Sequence, residues 1–424
     1  MSDIATARWG ETAYTALVNG RRYAVPQRPT AVICYDGCDP AYVAAARDAG
    51  VVPHLSAMMR DGFAATALSA MPSFTNPNNV SIVTGAPPSV HGISGNYYLD
   101  AATGREIMML DSEGMRGTTI LAALATAGAR VAAITAKDKL LKALAKDLAG
   151  IAFSAEKADT VTVEANGIAD ATGLVGRAAP EPYVPDLSLF VLDAGVRMIA
   201  GGMVDVAYLS LSDLIQHAHA PGTSEANAFM AEVDARVGAL LAAGAVVGIV
   251  ADHGMSDMAH DDGTARVAYL ADNLDAAFGP GRIRVICPIT DPFVRHHGAL
   301  GGFVRIHVTD PALPVAEVLA KVAATPGVEL ALTGAQAAAR FQMPPEREGD
   351  VVAIAAPGWA LGSHAANHDL SALKGTRLRS HGGTCEQRVP FILSHPLNET
   401  YRQRAATQTL RNFDIFDFAL NGTL

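Results

Sequence analysis

The sequence predicts an α/β fold in which a mostly parallel central sheet is flanked by helices and carries an inserted α+β cap. Three observations lead there. Short apolar runs rich in β-branched residues recur along the chain, and each ends abruptly at a polar residue. Helical signals separate these runs, so that strand alternates with helix. Two stretches, 95–112 and 261–374, break the rhythm.

Taken in order, the run Thr30–Tyr35 ends at Asp36, and Asp39-Pro40 then supplies a cap and a first-turn proline for a helix. Gly95 to Asp111 reads as a small excursion, with a hairpin-like Tyr97-Tyr98 segment turning at Thr103-Gly104. The alanine-rich Thr118–Ala127 predicts a helix, and Ala129–Thr135 a strand that delivers Lys137. Leu187–Leu211 is the most apolar stretch, but Asp193, Arg197 and Asp205 interrupt it, which suits a buried helix and strand rather than a membrane span. Its second half, Val204–Leu211, ends at Asp213, and Ala245–Val250 ends at Asp252. From Asp261 to Lys374 the alternation loosens around the extended run Gly302–Val308 and the Pro/Glu-rich patch Pro344 to Asp350, and this is read as the cap. Val389–Leu393 is the final strand. The catalytic core is thus 1–260 with 375–424, and the cap 261–374. Open α/β sheets bind ligands beyond the carboxyl ends of their strands, where these polar residues stand.

Half of the 424 residues are apolar, which excludes a disordered or collagen-like chain. A formal charge of −10 argues against nonspecific nucleic-acid binding. An acidic protein still takes an anionic substrate where metal ions reverse the local field. Met1 to Gly10 lacks a basic segment followed by an apolar one, and Cys34, Cys38, Cys287 and Cys385 are too scattered for a disulfide framework. The expectation is a cytoplasmic protein with no membrane partner.

The strand ends supply a metal-ligand constellation. Asp36 follows the first strand; Asp213 and His217 stand at i and i+4, on one face if a helix starts there; Asp252-His253-Gly254 follows the next strand; His381 lies in Ser380-His381-Gly382-Gly383 before the last. Carboxylates and imidazoles without thiolate suit Zn²⁺ or Mn²⁺, and seven donors, counting Thr75, are enough for two ions. Each element alone is a common structural feature; the ordered set is specific. His364 and His368 compete with His381, but fall in the cap. His219 and His260 are candidates for supporting roles, whereas His54, His91, His296, His297, His307 and His395 read as packed or surface residues. Cys34 reads as core.

Thr75, in Pro72-Ser73-Phe74-Thr75-Asn76-Pro77, is the candidate nucleophile. Pro77 suits the first turn of a helix through Thr84, which puts Thr75 at the N-terminus, where free N–H groups and the helix dipole favour an alkoxide and a phosphoryl group. Standing alone, the same residue reads as an N-cap.

In order along the chain come Asp36-Gly37, Pro72-Ser73-Phe74-Thr75 with Asn79-Val80-Ser81-Ile82-Val83-Thr84-Gly85, His91-Gly92-Ile93-Ser94-Gly95-Asn96, Asp213-x-x-x-His217, Asp252-His253-Gly254-Met255 and His381-Gly382. This set resembles the alkaline phosphatase superfamily, in its nucleotide pyrophosphatase/phosphodiesterase-like branch. The resemblance implies an alkaline phosphatase-like core and two zinc ions, with Mn²⁺ or Fe²⁺ as substitutes. Asp36, Thr75, Asp252 and His253 would hold one ion, and Asp213, His217 and His381 the other. Asn96 would donate to a phosphoryl oxygen, and His217 would also touch substrate. Within the branch the chain is similar to the phosphonoacetate hydrolases, on the strength of Thr135-Ala136-Lys137-Asp138-Lys139. That likeness implies that Lys137 and Lys139 grip a substrate carboxylate while Thr75 attacks phosphorus and forms a phosphothreonine. The partner is then a small phosphonate, and a homodimer is left open.

Cys38-Asp39 after Asp36-Gly37, and Gly382-Gly383-Thr384 after His381, depart from the phosphodiesterase pattern and lower the expectation of a nucleotide substrate. Three rivals remain at this stage. One is a phosphodiesterase or nucleotide pyrophosphatase on the same metals. Another is a di-manganese phosphoglycerate mutase, which Thr75 in place of serine opposes. The third is a non-catalytic protein that binds metal and anion.

Overall fold

The computed structural model describes residues 15–100, 103–109, 112–291, 297–373 and 375–424. Residues 1–14, His296 and the boundary residues Asp111 and Lys374 lie outside the described residues.

Seven strands form the central sheet: β1 (Thr30–Cys34), β2 (Phe63–Leu68), β3 (Val131–Thr135), β4 (Ile151–Ser154), β5 (Val206–Ser210), β6 (Val246–Val250) and β7 (Arg388–Leu393). Their spatial order is β2-β7-β6-β1-β5-β3-β4. From β6 to β4 all neighbours are parallel, while β7 is antiparallel to both β6 and β2. The fold is the α/β architecture expected from the alternation. Strands β1, β3, β5 and β6 are buried throughout because helices cover both faces, which is why they read as continuous apolar runs.

Local chemistry sets the helix starts. Asp39 accepts the Ala41 amide at 2.8 Å ahead of helix Pro40–Asp48, and Thr119 caps Ile120–Thr126 by accepting the Ala122 amide at 2.9 Å. The apolar stretch from Leu187 resolves into helix Asp186–Ala200 and β5. Among the described residues no helix is long and apolar enough to cross a membrane.

The two rhythm-breaking stretches form separate sheets. Tyr97–Asp100 pairs with Arg105–Met108 in a hairpin. Further on, four antiparallel strands lie in the order Ile283–Ile286, Phe303–Val308, Val351–Ala355, Val328–Thr333. Side chains alternate across this second sheet. Val304, Ile306, Val351 and Ala353 pack with helices Leu270–Phe278 and Val315–Ala323. Phe303, Val352 and Ile354 pack on the opposite face with Met71 and Phe74, the residues leading to Thr75. The second sheet therefore braces the chain just ahead of the candidate nucleophile.

Candidate active site

The donors converge at one edge of the central sheet. Asp36, Asp213 and Asp252 follow β1, β5 and β6, and the parallel register of these strands brings the three carboxylates to the same end. His381 precedes a strand, yet it arrives there too. Strand β7 runs backwards, with Phe391 opposite Val250, so its beginning lies beyond the carboxyl end of β6. Asp36, Asp252 and His253 form one group whose ligand atoms lie within 4.8 Å of one another, and Asp213, His253 and His381 form a second. His253 thus belongs to both, and His217 borders the second, its Nε2 2.9 Å from Asp213 Oδ2.

The three imidazoles are oriented alike. Nδ1 of His217, His253 and His381 lies 2.7, 2.9 and 2.9 Å from the carbonyl oxygens of Arg379, Gly254 and Ser73. A carbonyl only accepts, so Nδ1 carries a proton, and in the neutral ring, the form that binds a metal, Nε2 turns a lone pair into the site. Lone pair then faces carboxylate between His217 and Asp213, and again between His253 Nε2 and Asp36 Oδ1 at 3.3 Å. Acceptors facing acceptors in a buried site call for a shared cation. Among the described residues neither oxygen of Asp36, 1% exposed, has a hydrogen-bond donor. Burial, Asp213 and Asp252 push its carboxyl well above the usual range, while burial and then His253 and His217 hold His381 well below 6.5, as a neutral ligand. Oxygen and imidazole donors without thiolate fit divalent ions of the zinc or manganese type.

Asn79 orients Asp252. Its amide nitrogen donates to Asp252 Oδ2 at 3.1 Å, while its oxygen accepts the hydroxyls of Tyr208 and Ser210 at 2.7 and 2.9 Å. The other carboxylate oxygen accepts the amides of Gly37 and His253.

Thr75 is the first residue of helix Thr75–Thr84, with Phe74 in the N-cap position. Its hydroxyl donates to His253 Nε2 at 3.1 Å, so the capping role falls elsewhere and the oxygen faces the donors. Gly382 makes this possible. At its φ of +122° a Cβ would stand 2.3 Å from the Phe74 ring, so a side chain there would displace the residue before Thr75. Asn96 lies across the cleft from a loop, its backbone N–H donating to Pro288 O at 2.8 Å and its amide nitrogen to Ile289 O at 3.3 Å.

The lysines diverge. Lys137 caps helix Asp138–Leu144 and points at the metal-ligand carboxylates, 2.8 Å from Asp213 and 3.6 Å from Asp36. Burial alone would lower its ammonium; Asp213 and Asp36 outweigh that and raise it. Lys139 instead meets Asp291. Burial, then Lys137, lowers its ammonium to about 7. Glu156 and Ser154 pin the turn between them through the Asp138 amide and carboxylate. Thr75, Asn96, both lysines, Asp213, His217, His297, His381, Ile289 and Asp291 line one narrow cleft.

The chain matches the type I phosphodiesterase/nucleotide pyrophosphatase family over residues 30–384. It belongs to that family. Two crystal structures of phosphonoacetate hydrolase from Sinorhizobium meliloti 1021, one with phosphonoformate and one with phosphonoacetate, share 43% identity over 96% of this chain and 99% of theirs, with a TM-score of 0.91. Murine ectonucleotide pyrophosphatase/phosphodiesterase 5 has the same fold at 17% identity, covering 93% and 96% of the two chains, with a TM-score of 0.62.

Several histidines of this phosphodiesterase-family chain lie away from the donors. His364 contacts Asp272 at 2.9 Å, and His368 bonds Gly298 O and Ser363. His219 and His260, the candidates for supporting roles, contact other groups. Helix Leu214–Ala218 ends before His219, which is extended and faces Glu225, while His260 packs on Trp359 beside Arg266. Backbone carbonyls and Asn79 give that support instead. His91 is buried, bonded to Ser81 and the Ile93 amide. Cys34 and Cys38 are buried free thiols. Sequence reasoning missed Asp291 and His297, both in the cleft; His297, read as packed, is 4% exposed and lowered to about 3 by burial and by His217. Neither carries a motif.

Proposed function

We propose that this chain hydrolyses the P–C bond of phosphonoacetate to acetate and phosphate, with Thr75 as nucleophile. The observation that carries the reading is the placement of Thr75, Asn96 and a lysine cation outside the candidate metal ligands within one small cleft. The 43% identity to a phosphonoacetate hydrolase supports it. We further propose two zinc ions, held by Asp36, Thr75, Asp252 and His253, and by Asp213, His217 and His381. Bound there, such ions supply Lewis-acid charge that lowers the pKa of a hydroxyl and offsets phosphoryl charge.

The chain's own residues do the rest. Thr75 Oγ attacks phosphorus as its hydroxyl proton is released to water, which returns a proton to the acetate carbon once the P–C bond has broken; the oxygen is aided by its place in the first turn of a helix whose free N–H groups favour negative oxygen. The P–C bond breaks with its electron pair passing to the acetate fragment, whose charge spreads onto the carboxylate oxygens as an enolate. No bridging oxygen is available for an acid to protonate, so a fixed cation must meet that charge. Lys139 supplies it from within the cleft, with Lys137 beside it in the same lining. The Asn96 amide donates to a phosphoryl oxygen. Carbon then takes a proton to give acetate, and water hydrolyses the phosphothreonine to phosphate and free Thr75. The four-stranded sheet, with its own apolar cluster, supports the reading of 261–374 as an inserted cap.

Phosphate release from phosphonoacetate by zinc-loaded protein, beside an aryl phosphodiester, tests this. Release that stops with chelator and returns with zinc is expected. Turnover of the diester alone would replace the reading with a phosphodiesterase; silence on both, with metal bound, would leave a binding protein.

A further inference from the structure

Asn96 reaches the cleft from a loop, and a loop amide serves chemistry only where its backbone is fixed. Arg305, on the face of strand Phe303–Val308 that looks toward the nucleophile segment, is fully buried, as is Glu348 at 1% exposure. Its Nε and Nη2 donate to the two Glu348 oxygens at 2.8 and 2.7 Å, and Nη2 also donates to Ser94 O at 3.1 Å. The guanidinium lies 5.1 Å from the Phe303 ring centroid. Buried ion pairs are weak stabilisers compared with apolar residues of the same volume, so stability alone gives little reason for this one.

We infer that Arg305 is a positioning residue for the Asn96 amide: locked by Glu348, it grips the carbonyl of Ser94 and packs against Gly95, so the two residues ahead of Asn96 cannot shift. This rests on the reading above that Asn96 donates to the phosphoryl group. A Cβ on Gly95 would stand 2.7 Å from Pro288 Cβ and 3.5 Å from Arg305 Nη1, so the backbone is sandwiched between them. Arg347 holds the start of the same loop, donating to Gly92 O at 2.6 Å, and Pro288 O accepts the Asn96 N–H at its end. Arg305 is absent from the cleft lining, so its effect passes through Asn96.

The test is a double-mutant cycle on the full zinc-loaded chain, reading inorganic phosphate affinity by calorimetry and phosphonoacetate kcat. Arg305→Met is made together with Glu348→Leu, because removing one partner would leave a buried charge. With Asn96 present, the paired replacement is expected to weaken phosphate binding about tenfold and lower kcat by about 10–100-fold, the scale of a small misplacement of a reacting contact. In an Asn96→Ala background the further loss is expected to be under about twofold, since coupled residues are not additive. Equal losses in both backgrounds, or none with Asn96 present, would overturn the inference. Asn96→Ala that changes neither phosphate affinity nor kcat would instead remove the Asn96 reading and the inference with it. Phosphate affinity reads the coupling whether or not phosphonoacetate is turned over. Should the paired variant fail to fold, Arg305→Lys takes its place, keeping a cation opposite Glu348 while losing the fork that reaches Ser94 O, with a smaller loss and the same dependence on Asn96.

Discussion

Replacing Lys139 by alanine separates recognition of the carboxylate from chemistry at phosphorus. Lys137 lies 2.8 and 3.6 Å from Asp213 and Asp36, so Lys137→Ala disturbs the candidate metal ligands and should damage every substrate. Lys139 touches Asp291 instead, and its side chain remains 14% exposed in the cleft. As the P–C bond breaks, about one elementary charge moves toward the carboxylate end. A cation about 4 Å away at an effective dielectric near 20 interacts with it by about 4 kcal/mol. That corresponds to about 10³ in rate, at the upper end of the 10²–10³ lost with one oxyanion donor. For Lys139→Ala we therefore expect kcat/KM on phosphonoacetate to fall about 10²–10³-fold. An aryl phosphodiester, whose leaving group carries no carboxylate, should lose less than about fivefold, since the metal-facing groups are untouched. Part of the loss is repulsion between the substrate and Asp291, so adding Asp291→Asn should restore about tenfold. Both substrates are followed in steady state by released phosphate and aryl alcohol. Equal losses on the two would refute the carboxylate-clamp role.

The burial that lowers Lys139 to about 7 leaves its ammonium charged below that pH and neutral above it. The ratio of kcat/KM for phosphonoacetate to that for the diester should thus fall as pH rises through about 7, and Lys139→Arg, charged throughout, should flatten the profile. Thr75→Ala should abolish turnover while phosphate affinity persists, and acid-quenched unsubstituted protein should yield a Thr75 phosphopeptide by mass spectrometry; its absence under burst conditions would count against covalent catalysis. Asn79→Leu removes the donor that orients Asp252 and should weaken zinc affinity by about 10–100-fold, read by chelator competition. Zinc at a thousandfold excess over its Kd should stabilise the fold by about 4 kcal/mol, seen as a higher melting temperature that chelator reverses.

Sequence periodicity located strands β1, β3, β5, β6 and β7 and the polar residues that follow or precede them, because each strand is buried and its apolar run stops where the chain leaves the sheet. It carried no strand direction. Val389–Leu393 reads the same whether parallel or reversed, although its reversal is what delivers His381. The Asp and His donors were legible by type and order, but the carbonyls of Arg379, Gly254 and Ser73 that orient the rings have no residue signature. Lys137 and Lys139 looked alike because spacing does not reveal partners, and the partner of Lys139 is Asp291, far along the chain. Arg305 and Glu348 look like surface charges in the sequence; the alternation of side chains across a sheet with two covered faces buries Arg305, and the turn after Pro345–Arg347 brings the Glu348 carboxylate to it.

Because β7 runs against its neighbours, residues 251–387 leave the central sheet after Val250 and rejoin it at Arg388 through one doorway. His253 and His381 stand just inside its two jambs, their rings stacked 3.5 Å apart. Surface loops between them can lengthen or shrink without disturbing the pairing of the central strands, provided the two imidazoles still meet and the second sheet still braces Phe74. The long detour bears Asp291 and His297, which line the cleft, whereas Asp36, Asp213 and Asp252 follow strands of the central sheet. Such a cassette changes the choice of leaving group only while it keeps the brace behind Phe74, the grip of Arg305 on Ser94 and the Arg379 carbonyl on His217, so a graft of 254–380 from another family member must carry all three.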